Sequence, residues 1–297
     1  MPTKRCKLNM QHFSNLTHLR AALTSNRLNG RSLAFVPTMG NLHAGHLKLI
    51  EVAKDMADSV AVSIFVNPLQ FDREDDLTAY PRTLDQDLRE LASLEVNFVL
   101  TPSETLMYPH GRAHTTTVHV PGLSEILEGQ YRPGHFVGVA TVVCKLLNIV
   151  RPDLALFGEK DYQQLLVIRQ MAADLNLGID IRGVPTVREA DGLALSSRNG
   201  YLNPHERRLA PNLYRILQTL AERVQAGEAS LTRLTDHAAS ELARVGFQPE
   251  YVSLRRSQDL ALAQESDRDL IILAAAWLGK ARLIDNLRVL RDDPHKS

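Results

Sequence analysis

The sequence predicts an α/β protein built on a doubly wound parallel sheet, followed by a smaller C-terminal α+β domain. Apolar, β-branched runs of strand length alternate with helical patterns over the first 185 residues, the order that builds a parallel sheet with helices on both faces. The run at 60–66 is mostly apolar with no in–out alternation, as a strand buried on both faces must be. Beyond Pro185 the alternation stops, and helices are followed by grouped strands.

Leu16, Leu19 and Leu23 recur at helical spacing, and Gly30 ends that helix. A strand at 33–36 breaks at Pro37 and Gly40, and an amphipathic helix with Leu47, Leu49, Ile50, Ala53 and Met56 starts near His43. The strand at 60–66 closes at Asn67-Pro68; a polar loop at 72–76 leads to a helix over 83–94 and a strand at 96–100. Residues 136–150 read as a helix stopped by Arg151-Pro152. A short buried strand at 154–157 ends at Gly158, before a helix over 161–175 and a strand at 179–184. Two long polar helices, 204–225 and 231–245, precede strand-like segments at 251–254, 270–276 and 282–290. The domains are therefore expected to be 1–185 and 186–297.

A chain of 297 residues can bury a large core in one big or two moderate domains. Its 34 basic and 34 acidic residues give a formal net charge of zero, without the basic excess of a nucleic-acid binder. Cys6 and Cys144 lie far apart and read as incidental thiols of a reducing compartment. Lys4, Arg5 and Lys7 are followed by no apolar segment of a secretory signal, and the longest apolar run, 270–278, is too short for a bilayer. A soluble, cytoplasmic protein with no nucleic-acid and no membrane partner is expected.

The most informative stretch is Val36-Pro37-Thr38-Met39-Gly40-Asn41-Leu42-His43-Ala44-Gly45-His46. Its H-x-G-H pattern falls where a parallel strand hands over to a helix, the edge at which open α/β sheets bind nucleotides. The helix N-terminus offers unpaired N–H groups to phosphate, and His43 and His46, three apart, can share one helical face and reach one anion. The pattern points to ATP. Zinc would need three or four clustered ligands, and no Cys or acidic ligand stands at metal spacing beside the pair.

Other strand ends carry further polar groups. Asn67 and Gln70 lie just past the strand at 60–66, where an amide can donate to a carboxylate or hydroxyl, or simply face a loop. Gly158-Glu159-Lys160-Asp161 repeats the strand-end arrangement, with Lys160 projecting a positive charge towards the histidine edge and Asp161 suited to capping the helix. The stretch from Glu128 to Phe136 reads as a Gly/Pro-punctuated connector with Glu, Arg and His that could line a site. Ser196-Ser197-Arg198, in an expected flexible turn after Asp191-Gly192, makes a compact phosphate-binding set.

These stretches, with Tyr80-Pro81-Arg82-Thr83 and Arg132-Pro133-Gly134-His135-Phe136, together resemble the pantoate–β-alanine ligase family in order and spacing. The resemblance covers nearly the whole chain, leaving out about 1–10 and 291–297. It belongs to the nucleotidyltransferase superfamily, whose H-x-G-H and serine/basic loops are also similar to those of class I aminoacyl-tRNA synthetases. The resemblance implies a Rossmann-like N-terminal domain, a mobile C-terminal lid, a homodimer and a requirement for Mg²⁺. It implies a two-step condensation of pantoate with β-alanine through a pantoyl adenylate, giving pantothenate, AMP and diphosphate. ATP-binding positions carry over onto Met39, Gly40, Asn41, Leu42, His43, Ala44, Gly45 and His46, onto Gly158, Glu159, Lys160 and Asp161, and onto Val187, Leu195, Ser196, Ser197 and Arg198. His46 matches the proton donor, and Gln70 and Gln164 match the glutamines that hold pantoate; Gln70 is also expected to face β-alanine. His43, His46, Lys160, Ser196, Ser197 and Arg198 form the expected catalytic set, with no metal ligands assigned. A tRNA-charging relative would call for a basic excess that the chain lacks, and a non-catalytic nucleotide sensor need not retain these charged groups together.

Overall fold

The computed structural model describes residues 10–228 and 230–291. The chain divides into two compact units. One holds the residues up to Glu159 together with Val167–Val184, and the other holds Lys160–Leu166 together with the residues from Pro185.

The first unit contains a six-stranded parallel sheet of β1 (Gln11–Phe13), β2 (Leu33–Thr38), β3 (Ser59–Ile64), β4 (Phe98–Leu100), β5 (Leu154–Gly158) and β6 (Asp180–Val184), in the order β1-β4-β3-β2-β5-β6. The strands are connected through α1 (Leu16–Leu28), α2 (Ala44–Met56), α3 (Glu74–Ala79), α4 (Leu84–Ser93), α5 (Glu104–Met107), α6 (Glu128–Tyr131), α7 (His135–Val150) and α8 (Tyr162–Asp174). From β2 the chain winds outward through β3 and β4 on one side and through β5 and β6 on the other. The winding therefore reverses between β2 and β5, and that switch point opens a crevice at the strands' C-terminal ends. β2 pairs along its whole length with β3, and Ala34 and Phe35 also face Leu154 and Ala155 of β5. Ala34, Phe35, Val36 and Val62 are fully buried, and α2 covers one face with Leu49, Ile50 and Ala53. Burial on both faces is why these strands lack a polar alternation.

The second unit contains α9 (Pro204–Leu209), α10 (Asn212–Gln225), α11 (Leu231–Arg244) and an antiparallel sheet of β7 (Gln248–Arg256), β8 (Asp269–Leu278) and β9 (Ala281–Leu290). Leu213, Leu217 and Leu220 of α10 and Leu234 and Leu242 of α11 share one core with Ile272, Ala274 and Val289 of the sheet. The apolar run at 270–278 is thus the buried central strand β8. Among the described residues no helix is long and apolar enough to cross a membrane.

Several expectations need correction. The helix expected over 204–225 is two helices, because Pro211 has no N–H to continue the ladder of α9. The polar loop at 72–76 instead opens α3, whose first turn holds Glu74, Asp75 and Asp76 at the positive end of the helix. The 128–136 connector contains α6, and β1 escapes notice because three residues carry too little pattern. Cys144 is a partly buried free thiol on α7 whose pKa is pushed up by burial, which disfavours the thiolate. Cys6, Lys4, Arg5 and Lys7 lie outside the described residues.

Candidate active site

The histidine motif is built at the end of β2. Gly40 and Asn41 take positive φ values of 78° and 51°, which turn the chain sharply out of the sheet. His43 is not on the helix, as the spacing suggested, but is the extended N-cap of α2, with His46 at the third helical position. Nδ1 of His43 accepts from the N–H of Gly45 at 3.2 Å, and Nδ1 of His46 accepts from the N–H of His43 at 3.3 Å. The rings lie 4.1 Å apart. Two imidazoles thus form a reciprocal capping box, a role usually filled by Ser or Thr with Glu. Because each Nδ1 is an acceptor, a neutral ring carries its proton on Nε2, which makes Nε2–H the ring's donor.

The loop before them is held by Asp87 of α4, a buried carboxylate. Its oxygens accept from the N–H groups of Asn41 at 3.0 Å and Leu42 at 2.9 Å, and from Thr83 Oγ1 at 3.2 Å. A cleft of about 590 Å³ opens beside Met39 and Gly40, lined also by Phe65, Val66, Arg82 and Thr83.

Gln70 ends a short 3-10 turn, Pro68–Gln70, that follows β3. Its carbonyl accepts from Nδ1 of His135 at 2.8 Å and from Nη2 of Arg132 at 3.3 Å. The guanidinium also reaches Nε2 of His135 at 3.2 Å, which leaves the proton of that ring on Nδ1. The side-chain Oε1 of Gln70 accepts from Nδ2 of Asn67 at 3.0 Å. The Arg132-to-His135 stretch therefore braces the Gln70 turn.

Lys160 lies in the 3-10 turn Glu159–Asp161 between β5 and α8. Its carbonyl accepts from Nδ2 of Asn286 at 2.8 Å, and Tyr162 donates to the carbonyl of Ser257 at 2.9 Å. Val187 and Leu195 are brought together by a 3.0 Å backbone bond. Between them Arg188 makes a bidentate pair with buried Asp285, at 2.6 and 2.8 Å, and lies 3.5 Å over the ring of Tyr214. Ser196 to Arg198, expected in a turn, open a hydrogen-bonded 3-10 segment. Ser196 caps the 3-10 helix Ser197–Tyr201, its hydroxyl accepting from the N–H of Arg198 at 3.3 Å, and Asn199 donates to the carbonyl of Ala194 at 3.0 Å. Gln164 follows in the first turn of α8, half-buried.

A family model described as pantoate-beta-alanine ligase matches residues 11–288. The chain belongs to the pantoate–β-alanine ligase family. The pantothenate synthetase of Thioalkalivibrio sulfidiphilus is 56% identical over 280 residues, covering 94% of this chain and 98% of that protein. That of Methylococcus capsulatus is 54% identical over 283 residues, covering 95% and 99%. The crystal structure of pantothenate synthetase from Thermus thermophilus superposes with a TM-score of 0.87 at 44% identity, covering 94% of this chain and 99% of that one. The pantoate-beta-alanine ligase of Francisella tularensis, complexed with beta-gamma ATP and beta-alanine, gives 0.78 at 38% identity, covering 94% and 97%.

For this ligase the structure places Met39 to His46, Gly158, Glu159 and Gln70 in the first unit, and Lys160, Asp161, Gln164, Val187 and Leu195 to Arg198 in the second. Asp87, Tyr108, whose hydroxyl donates to Oδ1 of Asn67, and Gly138, whose carbonyl accepts from Nδ2 of Asn67, belong to none of the motif stretches. Asp87 did leave a signal: it stands four residues before Leu91 on the apolar stripe of its helix, where a carboxylate has no reason to be unless it is bonded.

Proposed function

We propose that the chain, which forms pantothenate by family membership, joins pantoate to β-alanine in two steps driven by ATP. A carboxylate resists attack by an amine until it carries a good leaving group. The pantoate carboxylate attacks the α-phosphorus of ATP, forming pantoyl adenylate and releasing diphosphate. The β-alanine amine then attacks the acyl carbon and expels AMP. Charge builds on the phosphate oxygens in the first step, so preorganised donors and cations supply the catalysis. His43 and His46 are assigned that task through Nε2–H, His46 also as proton donor, together with Lys160, Ser196, Ser197 and Arg198. Met39 to Gly45, Gly158 to Asp161, Val187 and Leu195 would line the nucleotide, while Gln70 and Gln164 orient pantoate, where positioning removes much of a two-substrate barrier. The reciprocal imidazole cap carries this reading, because it fixes two N–H donors beside a helix N-terminus at the nucleotide edge of the sheet.

Mg²⁺ is proposed to come with the triphosphate. It is a hard ion that keeps several waters and takes phosphate oxygens, so it needs little from the protein, and among the described residues no three His, Cys, Asp or Glu side chains converge. When bound, it neutralises charge on the diphosphate that leaves. The carboxylates of Glu159 and Asp161 and the hydroxyls of Ser196 and Ser197 are hard oxygen donors within the assigned set. The enzyme is further proposed to be a cytoplasmic homodimer whose domain 186–297 acts as a lid, because an acyl adenylate hydrolyses unless water is kept out.

Pantoate-dependent exchange of labelled diphosphate into ATP, with Mg²⁺ present and β-alanine absent, tests the reading. Exchange is expected only with pantoate, reduced by about 10²-fold or more in His46→Ala. Absence of exchange with pantoate would remove the adenylate mechanism.

A further inference from the structure

Asn67 is fully buried, and two backbone groups fix which way its amide points. Its Oδ1 accepts from the N–H of Leu69 at 3.3 Å, and its Nδ2 donates to the carbonyl of Gly138 at 3.1 Å. Turned over, the amide would set N–H against N–H and oxygen against oxygen. Tyr108, 3% exposed, adds a third restraint by donating its hydroxyl to the same Oδ1 at 2.6 Å. Burial pushes the phenol pKa well above its ordinary value, so the hydroxyl keeps its proton at any working pH. The amide so fixed donates from Nδ2 to Oε1 of Gln70. With Oε1 engaged by that donor, the other end of the Gln70 amide is its NH₂ group, which can only donate.

We propose that Tyr108 is a positioning residue of this ligase: acting through Asn67, it fixes the Gln70 amide so that Gln70 meets pantoate as a donor to a carboxylate or hydroxyl oxygen. The inference rests on the assignment of Gln70 to pantoate. It also specifies that contact as one to an oxygen, which pantoate supplies through its carboxylate or hydroxyls and β-alanine through its carboxylate. A relay of three side chains anchored on backbone atoms holds the donor before substrate arrives, so little rotamer freedom is lost on binding.

The test is a double-mutant cycle in the diphosphate exchange reaction, with KM measured separately for pantoate and ATP. Tyr108→Phe keeps the ring against Phe65, 6.1 Å away between centroids, and removes only the hydroxyl. Its pantoate KM is expected to rise roughly tenfold, the scale of one buried hydrogen bond, with ATP KM within about twofold. In a Gln70→Ala background the same substitution should have no further effect, since the group it orients is gone. Equal effects in both backgrounds, or KM values for ATP and pantoate rising together, would overturn the relay and reduce Tyr108 to a packing residue. Gln70→Ala with unchanged pantoate KM would instead overturn the Gln70 assignment, and the relay with it. Should Tyr108→Phe fail to fold, Asn67→Asp carries the same cycle, keeping the acceptor for Tyr108 while withdrawing the donor to Gln70.

Discussion

Gly40 and Asn41 stand in succession at positive φ, a conformation that L residues seldom adopt, and the turn aims the N–H groups of Asn41 and Leu42 at one point. The carboxylate of Asp87 collects both, and a Cβ added at Gly40 would lie 3.0 Å from its Oδ2. A single charged side chain thus holds the backbone that delivers His43 to its capping position. Asp87→Asn keeps the shape but turns an NH₂ group towards one of those N–H donors. Hydrogen bonds to a charged group contribute about 1.5–3 kcal/mol each. The variant is therefore expected to lose about 2 kcal/mol of stability by denaturant titration and to raise the ATP KM in diphosphate exchange by roughly tenfold, with pantoate KM near wild type. An unchanged ATP KM would show that the loop keeps its shape without the carboxylate. The histidines were legible because their spacing and their place after a strand are local facts. The carboxylate that seats them was not, because Asp87 stands more than forty positions from the loop it holds, and their tautomers were not, because those follow from the capping geometry rather than from spacing.

At the level of elements, α7 and the Pro68–Gln70 turn approach so closely that no side chain fits between them. A Cβ on Gly138 would collide with the carbonyl oxygen of Leu69 and lie 2.7 Å from the nitrogen of Gln70, and both are backbone atoms that cannot swing aside. Gly138→Ala must therefore displace the turn or the helix. Such overpacking typically costs about 1–3 kcal/mol. Because the displaced segment carries Gln70, pantoate KM is expected to rise more than ATP KM when the two are measured side by side. A stable variant with wild-type pantoate KM would show that the turn adjusts freely. The sequence showed α7 clearly, as an apolar run over 136–150 stopped at Arg151-Pro152, and the structure starts it at His135 after the Gly134 cap. It could not show why position 138 is glycine, since a glycine inside a helix carries no mark of what presses on it. The same limit hid α3 and α6, whose few residues depend on capping and tertiary contacts more than on periodicity.

At the scale of the molecule, one hydrophobic core gathers Val36, Ile50, Val62 and Leu156, and another, which shares no residue with it, gathers Leu217, Leu242, Ile272 and Val289. The composition change at Pro185 made the second set visible in the sequence. Membership of Lys160–Leu166 in the second unit was not visible, because it rests on the bonds of Lys160 to Asn286 and of Tyr162 to Ser257, across 126 and 95 residues. Separate cores predict separable unfolding. Leu217 is fully buried in the second core, and truncating such a side chain to alanine costs about 2–5 kcal/mol through lost burial and the cavity left behind. In scanning calorimetry Leu217→Ala is expected to lower one transition by roughly 10 °C and leave the other where it was. The transition that stays would belong to the unit that carries His43 and His46. If both transitions fell together, the two cores would form one cooperative body, and a lid that moves apart from the sheet would become untenable, since a unit that hinges must keep its own fold while its contacts with the other are remade.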